Sequence, residues 1–224
     1  MFKGYELWTA KSFYSIFELG LIILRNRGSV VRRVVIPLIA VLLASLFPQQ
    51  SVARDLAVWD KLKGTNPRGY VLLMRHALAP GVGDPENFKV GDCSTQRNLS
   101  AEGRQDAREI GEWLKRREVP IFRVESSRWC RARETAELLG VGAVRANKNL
   151  DSLFEEVDPI GNPQTTKIRK RIVDHRQTRG LLVMVGHFVN FSAVTGVGLE
   201  SGEGVLVRAN SKGEIKVVGY SPKP

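Results

Sequence analysis

Cysteine and histidine are scarce in this 224-residue sequence, which contains two cysteines and three histidines. Two cysteines exclude a scaffold held by many disulfides and also a four-cysteine zinc site. The pattern Gly-x-x-x-x-Gly-Lys is missing, which excludes a P-loop phosphate cradle. Acidic residues are outnumbered, because 34 Lys and Arg against 23 Asp and Glu give a formal net charge of +11. That excess predicts an anionic partner, which would be nucleic acid, anionic lipid or a phosphorylated ligand.

No apolar run reaches the roughly 20 residues of a membrane-spanning helix. The longest, residues 34–47, has 14 residues, follows a pair of arginines and precedes the small residue Ala53. A basic segment, a short apolar run and small residues, in that order, are typical of a secretory signal peptide. We therefore predict that residues 1–53 are a targeting segment, cleaved after Ala53 or kept as a membrane anchor. Either outcome places residues 54–224 outside the cytoplasm, in or facing the periplasm.

The remainder of the chain alternates strand and helix patterns, which predicts an α/β domain over residues 54–224. Residues 69–74 and 181–185 are short, fully apolar runs, typical of strands that are buried on both faces. Further strands are predicted at 121–124, 141–146, 204–208 and 214–218, and helices at 101–117, 131–139 and 162–176. Residues 210–213 are predicted to form the hairpin loop between the last two strands.

Two of the three histidines directly follow the most apolar strands. Arg75 alone separates His76 from the first run, and Gly186 alone separates His187 from the second. Ligands of parallel sheets bind beyond the carboxyl ends of the strands, so both histidines are candidate site residues. His175 lies among arginines on a polar helix and is predicted to be solvated. The basic run 167–171 is likewise predicted to be a solvated face without an aromatic stacking platform, so nucleic acid is not an expected partner.

Four blocks around the two histidines resemble the histidine phosphatase superfamily, branch 1. They are Met74-Arg75-His76-Ala77, residues 98–107, residues 126–136 and Val185-Gly186-His187. Ala77 replaces the glycine usual in that family, but the order of the blocks agrees with it. The resemblance implies the phosphoglycerate mutase-like fold, an α/β three-layer sandwich whose mostly parallel central sheet is flanked by helices. It also implies that no metal or other cofactor is needed.

The resemblance further implies phosphoryl transfer through a phosphohistidine on His76. Arg75, Arg131 and His187 would bind the phosphate, since guanidinium groups offer planar, bidentate donors. Export favours hydrolysis over mutase transfer, so the expected function is that of a metal-independent phosphoric monoester hydrolase. Its partner would be a small phosphorylated substrate, with membrane association through the N-terminal segment as a further option and no prediction of oligomeric state. The alternative is a phosphate-binding envelope protein with weak or no turnover.

The general acid that protonates the leaving group is harder to assign. The family's Leu-x-Glu segment corresponds to residues 150–158, where alignment on Leu153 puts Glu155 at the acid position and alignment on Leu150 puts Ser152 there. We predict Glu155, ahead of Asp151 and Asp84. Without a dedicated acid, substrates with good leaving groups, such as phosphohistidine or acyl phosphate, become the alternative. A phosphatase specific for phosphohistidine or for a sugar phosphate is then the corresponding function.

The two cysteines have two open interpretations. Cys93 and Cys130 are either buried free thiols or, in an exported protein, a disulfide. Because Cys130 directly precedes Arg131, a disulfide would fix the loop that carries this arginine.

Overall fold

The computed structural model describes residues 57–64 and 66–221, so the predicted targeting segment 1–53 lies outside the described residues. Its strands form one six-stranded sheet in the order β3-β2-β4-β1-β5-β6. The strands are β1 (Val71–Arg75), β2 (Ile121–Ser126), β3 (Val144–Ala146), β4 (Leu181–Gly186), β5 (Gly204–Ala209) and β6 (Ile215–Tyr220). The first four pair in parallel, and β5 and β6 add two antiparallel ladders. The predicted α/β class with a mostly parallel sheet is confirmed.

The centre of the sheet is buried on both faces. All residues of β4 are buried, as are the first four of β1. Alternate side chains serve different faces, since Val71 and Leu73 join one hydrophobic cluster while Leu72 and Met74 join the other. This burial explains why the two runs are continuously apolar rather than alternating.

Helices cover both faces of the sheet and produce the predicted three layers. The helices are α1 (Ala101–Arg116), α2 (Cys130–Leu139), α3 (Pro163–His175) and α4 (Phe188–Thr195). Apolar residues of α1 and α2 pack on one face, and those of α3 and α4 pack on the other. The helix α4 is not predicted from the sequence.

Two local features define the start of α1 and its contact with α2. The Ser100 hydroxyl accepts a hydrogen bond from the amide of Gly103, which caps the first turn of α1 as its position predicts. Further along, a Cβ at Gly111 would lie 1.9 Å from the carbonyl oxygen of Leu139 at the end of α2. Only glycine permits that approach, so α2 has a defined position against α1.

His175 is buried, and the prediction that it is solvated is wrong. Its Nε2 lies 2.9 Å from the carbonyl oxygen of Gly180, and its ring lies 5.0 Å from that of Phe122. The basic side of α3 is also partly engaged, because Arg171 donates to the buried carboxylate of Glu125. Arg171, one helical turn before His175, lies on the same side of α3, with its guanidinium 5.9 Å from the centroid of the Phe122 ring that His175 also contacts.

Within residues 57–64 and 66–221, the structure contains no helix with both the length and the apolar character that crossing a membrane requires.

Candidate active site

The candidate site lies at the carboxyl edge of three adjacent strands. His76 follows β1, Ser127 follows β2 and His187 follows β4. Backbone hydrogen bonds continue the sheet into these residues, from the amide of His76 to Gly186 and from the amide of Ser127 to Val185, each 2.9 Å long. The sheet therefore brings the two predicted histidines together, with ring centroids 5.4 Å apart.

Two hydrogen bonds define the tautomer of His76. Its Nδ1 lies 2.8 Å from the carbonyl oxygen of Ala77, which can only accept, so Nδ1 carries the proton. Its Nε2 accepts from Nε of Arg131 at 3.2 Å. Burial, followed by the positive charges of Arg131 and Arg75, lowers the pKa of His76 to about 3 although the bond to Ala77 opposes the shift. The imidazole is therefore neutral at pH 7, with a free electron pair on Nε2.

Arg131 is positioned by the first turns of α2. Its side chain is only 3% exposed. Thr135, one turn later, donates its hydroxyl proton to the carbonyl of Arg131 at 2.7 Å and accepts from the amide of Ala77 at 3.0 Å. This hydroxyl thus ties the backbone of the arginine to that of the nucleophile's neighbour.

His187 is held by residues that follow β2. Its Nε2 lies 2.9 Å from the hydroxyl oxygen of Ser127. The backbone amide and the guanidinium of Arg128 both donate to the buried carboxylate of Asp151, which fixes the Ser127-Arg128 turn. Burial is the largest cause that lowers the pKa of His187 well below its usual value, and repulsion from His76 in its protonated form and from the nearby arginines adds to it. Asp151, the second choice as general acid, is thus a structural anchor in this arrangement.

Further arginines surround the two histidines. Arg75 donates to the carbonyl of Leu199 at 3.0 Å, while its buried Nε has no hydrogen-bond partner among residues 57–64 and 66–221. Burial lowers the pKa of Arg75, and its charge contributes to the lowered pKa of both His76 and His187. Arg97 acts on both histidines in the same way, and its guanidinium donates to the carbonyl oxygens of Gly83 and Ala79. The site is therefore strongly positive, as binding of a phosphoryl group requires.

Asp84 is the carboxylate that the structure brings into this cluster. Its Oδ1 and Oδ2 accept from Nη1 and Nη2 of Arg131 at 2.5 and 3.0 Å, and Oδ2 also accepts from the indole of Trp129 at 2.9 Å. Burial by itself would raise the pKa of Asp84, but the hydrogen bonds from Arg131 and Trp129 outweigh it and the pKa is lowered. Asp84 is therefore an ionised partner of Arg131 rather than a proton donor.

A disulfide joins Cys93 to Cys130. It links the segment before α1 to the residue that precedes Arg131, which decides between the two interpretations of the cysteines. Gln96 supports the same junction, because its side-chain oxygen accepts from the amide of Cys130 at 2.9 Å.

Glu155 lies outside this group of contacts. It is exposed in a turn after Leu153, and among the described residues no hydrogen bond or ion pair joins it to His76 or Arg131. Its role as general acid stays a prediction. Ser127, Trp129 and Arg97 are the site residues that the sequence does not single out, although the first two belong to the 126–136 block and directly flank Arg128.

Taken together, an unprotonated imidazole nitrogen, clustered guanidinium groups and a second buried imidazole define a site for phosphoryl transfer. In the described part of the chain, no group of three or more His, Cys, Asp or Glu side chains is placed to bind a metal ion.

Comparison with known proteins supports the resemblance seen in the sequence. The model of the histidine phosphatase superfamily (branch 1) matches residues 71–174. That family implies phosphatase activity. No curated protein matches the sequence significantly.

Solved structures share the fold at low sequence identity. The protein histidine phosphatase SixA, complexed with tungstate, is 17% identical, with a TM-score of 0.52 over 68% of this chain and 96% of its own. An open reading frame product from Mycobacterium tuberculosis is 16% identical, with a TM-score of 0.51 over 69% and 97%. Phosphoserine phosphatase from Entamoeba histolytica, complexed with 3-phosphoglyceric acid, is 14% identical, with a TM-score of 0.50 over 69% and 97%. These similarities confirm the fold.

Proposed function

We propose that this domain is an exported, metal-independent phosphatase that hydrolyses phosphate monoesters through a phosphohistidine on His76. One observation carries the proposal: Nε2 of His76 is the unprotonated ring nitrogen and lies 3.2 Å from Nε of Arg131. A neutral imidazole nitrogen is a nucleophile, and a guanidinium N–H beside it is the donor that a transferring phosphoryl group requires. The match of the family model supports the same chemistry.

Two displacements at phosphorus make up the reaction. In the first, Nε2 of His76 forms a P–N bond while the P–O bond to the leaving group breaks, and the leaving oxygen takes a proton from the general acid. Nδ1–H stays on the ring and donates to the carbonyl of Ala77, which stabilises the positive phosphoimidazolium. In the second, water attacks phosphorus, the P–N bond breaks, and the water returns one proton to the acid. Arg75, Arg131 and His187 bind the phosphoryl oxygens throughout.

Glu155 is our proposed general acid for ester substrates. The Glu155→Gln variant should then lose more activity on phenyl phosphate than on p-nitrophenyl phosphate. Phenolate is a poor leaving group that needs a proton from the acid, whereas p-nitrophenolate leaves with less protonation. Equal activity of variant and wild type on both esters would remove Glu155 from the mechanism.

A second candidate is a phosphatase for phosphohistidine or another substrate with a good leaving group. The placement of the carboxylates favours it, because Glu155 is exposed and Asp84 is ionised against Arg131. A leaving imidazole has an ordinary pKa near 6.5 and is readily protonated without a dedicated acid. The fold relative SixA is a protein histidine phosphatase. A higher kcat/KM on a phosphohistidine peptide than on phosphate esters, unaffected by Glu155→Gln, would select this candidate.

The main test is turnover of p-nitrophenyl phosphate by the full chain in the presence of a metal chelator. We expect activity in the wild type, none in His76→Ala, and an acid-labile phosphoenzyme after rapid quenching. His175→Gln provides a matched histidine control away from the site. Wild-type activity in His76→Ala would disprove the mechanism, whereas vanadate binding without turnover or phosphoenzyme would indicate the phosphate-binding protein instead.

Export is a separate part of the proposal and rests on the sequence of residues 1–53. Mass spectrometry of the protein from the periplasmic and membrane fractions should find a mature N-terminus near Arg54, or the intact anchor in the membrane fraction. Recovery of the intact chain from the cytoplasm alone would contradict it.

A further inference from the structure

Arg131 uses two different edges of its guanidinium group. Nη1 and Nη2, at the end of the group, bind the two oxygens of Asp84, while Nε, on its side, points to Nε2 of His76. A guanidinium has five N–H groups, so an end-on pair with a carboxylate leaves Nε–H and the outer hydrogen of Nη2 free for a second bidentate partner. Arg131 can therefore bind Asp84 and a phosphoryl group at the same time.

The position of Asp84 is itself fixed by its surroundings. The indole of Trp129 donates to Oδ2, and the side chain of Asp84 is only 18% exposed. Arg97 donates to the carbonyls of Gly83 and Ala79, so the chain just before Asp84 is attached to the rest of the site. Trp129 in turn contacts the ring of His187, with centroids 5.7 Å apart. Asp84 thus joins the loop to both Arg131 and the wall of the site.

We propose that Asp84 is a positioning residue, which orients Arg131 so that its side edge, rather than its end, faces the phosphoryl group on His76. The inference rests on the proposed function, because it assigns the arginine's orientation a role in phosphoryl transfer. The orientation matters because the equatorial oxygens gain charge in the transition state and preorganised donors must already point at them. Without Asp84, the guanidinium could turn its end toward His76 and lose this alignment.

The test compares Asp84→Asn with the wild type in the full chain. One of the two terminal atoms of an amide is an NH2 donor, so the side chain in Asp84→Asn cannot accept from both Nη1 and Nη2 on separate atoms. We therefore expect kcat for p-nitrophenyl phosphate to fall about 10- to 100-fold, with KM changing less than about 3-fold. The inhibition constant of vanadate, which mimics the transition state, should rise with the loss of kcat. Asp92→Asn is the matched control, because Asp92 follows in the same loop, is exposed and caps a short helical turn. It should keep wild-type kcat.

An Arg131→Lys background separates positioning from a general structural effect. Lysine lacks the two edges, so Asp84→Asn should cost little more once Arg131→Lys is present. Trp129→Phe removes the indole hydrogen bond to Asp84 without changing a charge, so it should also lower kcat. This variant replaces Asp84→Asn in the test if Asp84→Asn does not fold.

Several outcomes would overturn the inference. Tighter vanadate binding by Asp84→Asn would show that the carboxylate competes for the phosphate-binding edge. Unchanged kcat, or fully additive losses with Arg131→Lys, would show that Asp84 does not act through Arg131. Because His76→Ala tests the nucleophile independently, an inactive His76→Ala with a fully active Asp84→Asn rejects this inference alone. Activity retained in His76→Ala rejects the proposed function.

Discussion

Nε of Arg131 and Nε2 of His76 lie 3.2 Å apart, so the proposed nucleophile and the arginine proposed to bind the phosphoryl group contact each other directly. A substrate phosphoryl group has to replace this contact with a bond to each residue. The hydrogen bond also keeps the imidazole in the tautomer that can attack. The resting site is thus already arranged for the first chemical step.

The pH dependence of activity should lack an acid limb from His76. Its pKa is lowered to about 3, and the nucleophilic form is the neutral one, so its activity is lost only as pH falls through that value. Between pH 7.5 and 5, kcat/KM corrected for substrate ionisation should therefore not decline through protonation of His76. Steady-state kinetics with p-nitrophenyl phosphate check this. A limb near pH 6.5 that persists in Glu155→Gln would be inconsistent with the buried, neutral imidazole.

Ser127 should be needed for the orientation of His187. Ser127→Ala removes the oxygen that lies 2.9 Å from Nε2 of His187, and we expect kcat to fall about 10- to 100-fold because the ring loses its fixed direction. Ser126→Ala is the matched control, since that buried neighbour also loses a hydroxyl but contacts the Ser127 carbonyl instead. Thermal unfolding of both variants separates stability from activity. Equal kcat in the two variants would contradict the role of Ser127.

Stability should decrease as pH falls below about 6.5. Burial lowers the pKa of His76, His175 and His187 in the folded protein, so the unfolded chain binds more protons than the native one in this range. Each histidine that stays neutral in the folded protein should lower the free energy of unfolding by up to about 1.4 kcal/mol as the pH falls from 7.5 to 5.5. Urea unfolding at both values measures this. The difference should shrink in His175→Gln, and an unchanged difference there would exclude His175 as a contributor.

Reduction of the disulfide should weaken both stability and activity. The bond joins positions 37 residues apart, and opening such a loop costs about 2 to 4 kcal/mol of unfolding free energy. Since Cys130 precedes Arg131, kcat should fall as well. The check is urea unfolding and turnover with and without a phosphine reductant, using Cys93→Ser/Cys130→Ser as the control that should not respond. Titration of two free thiols in the oxidised wild type would show that the bond is absent.

The sequence predicts the sheet and the histidines well for physical reasons. Strands buried on both faces must be continuously apolar, so β1 and β4 are visible as runs, and His76 and His187 gain significance from following them. His175 shows the limit of this reasoning, because helical arginines near it in sequence do not reveal which side of α3 faces the sheet.

The contacts of Asp84 could not be predicted in the same way. They depend on where an irregular loop crosses the end of the sheet, and no periodic pattern records that path. The same holds for the choice of general acid, since Glu155, Asp151 and Asp84 are all acidic residues outside helices and strands. Only their three-dimensional partners distinguish them.

The backbone of the site is part of the hydrogen-bonded ladder of the sheet. The amides of His76 and Ser127 bond to Gly186 and Val185, so neither can be exposed without opening the centre of the domain. In hydrogen exchange, the amide protons of His76 and Ser127 should therefore exchange only when the most stable cooperative unit unfolds. The amides of the exposed loop around Glu86 should exchange faster, through local opening. The backbone that carries the proposed nucleophile thus has the persistence of the core.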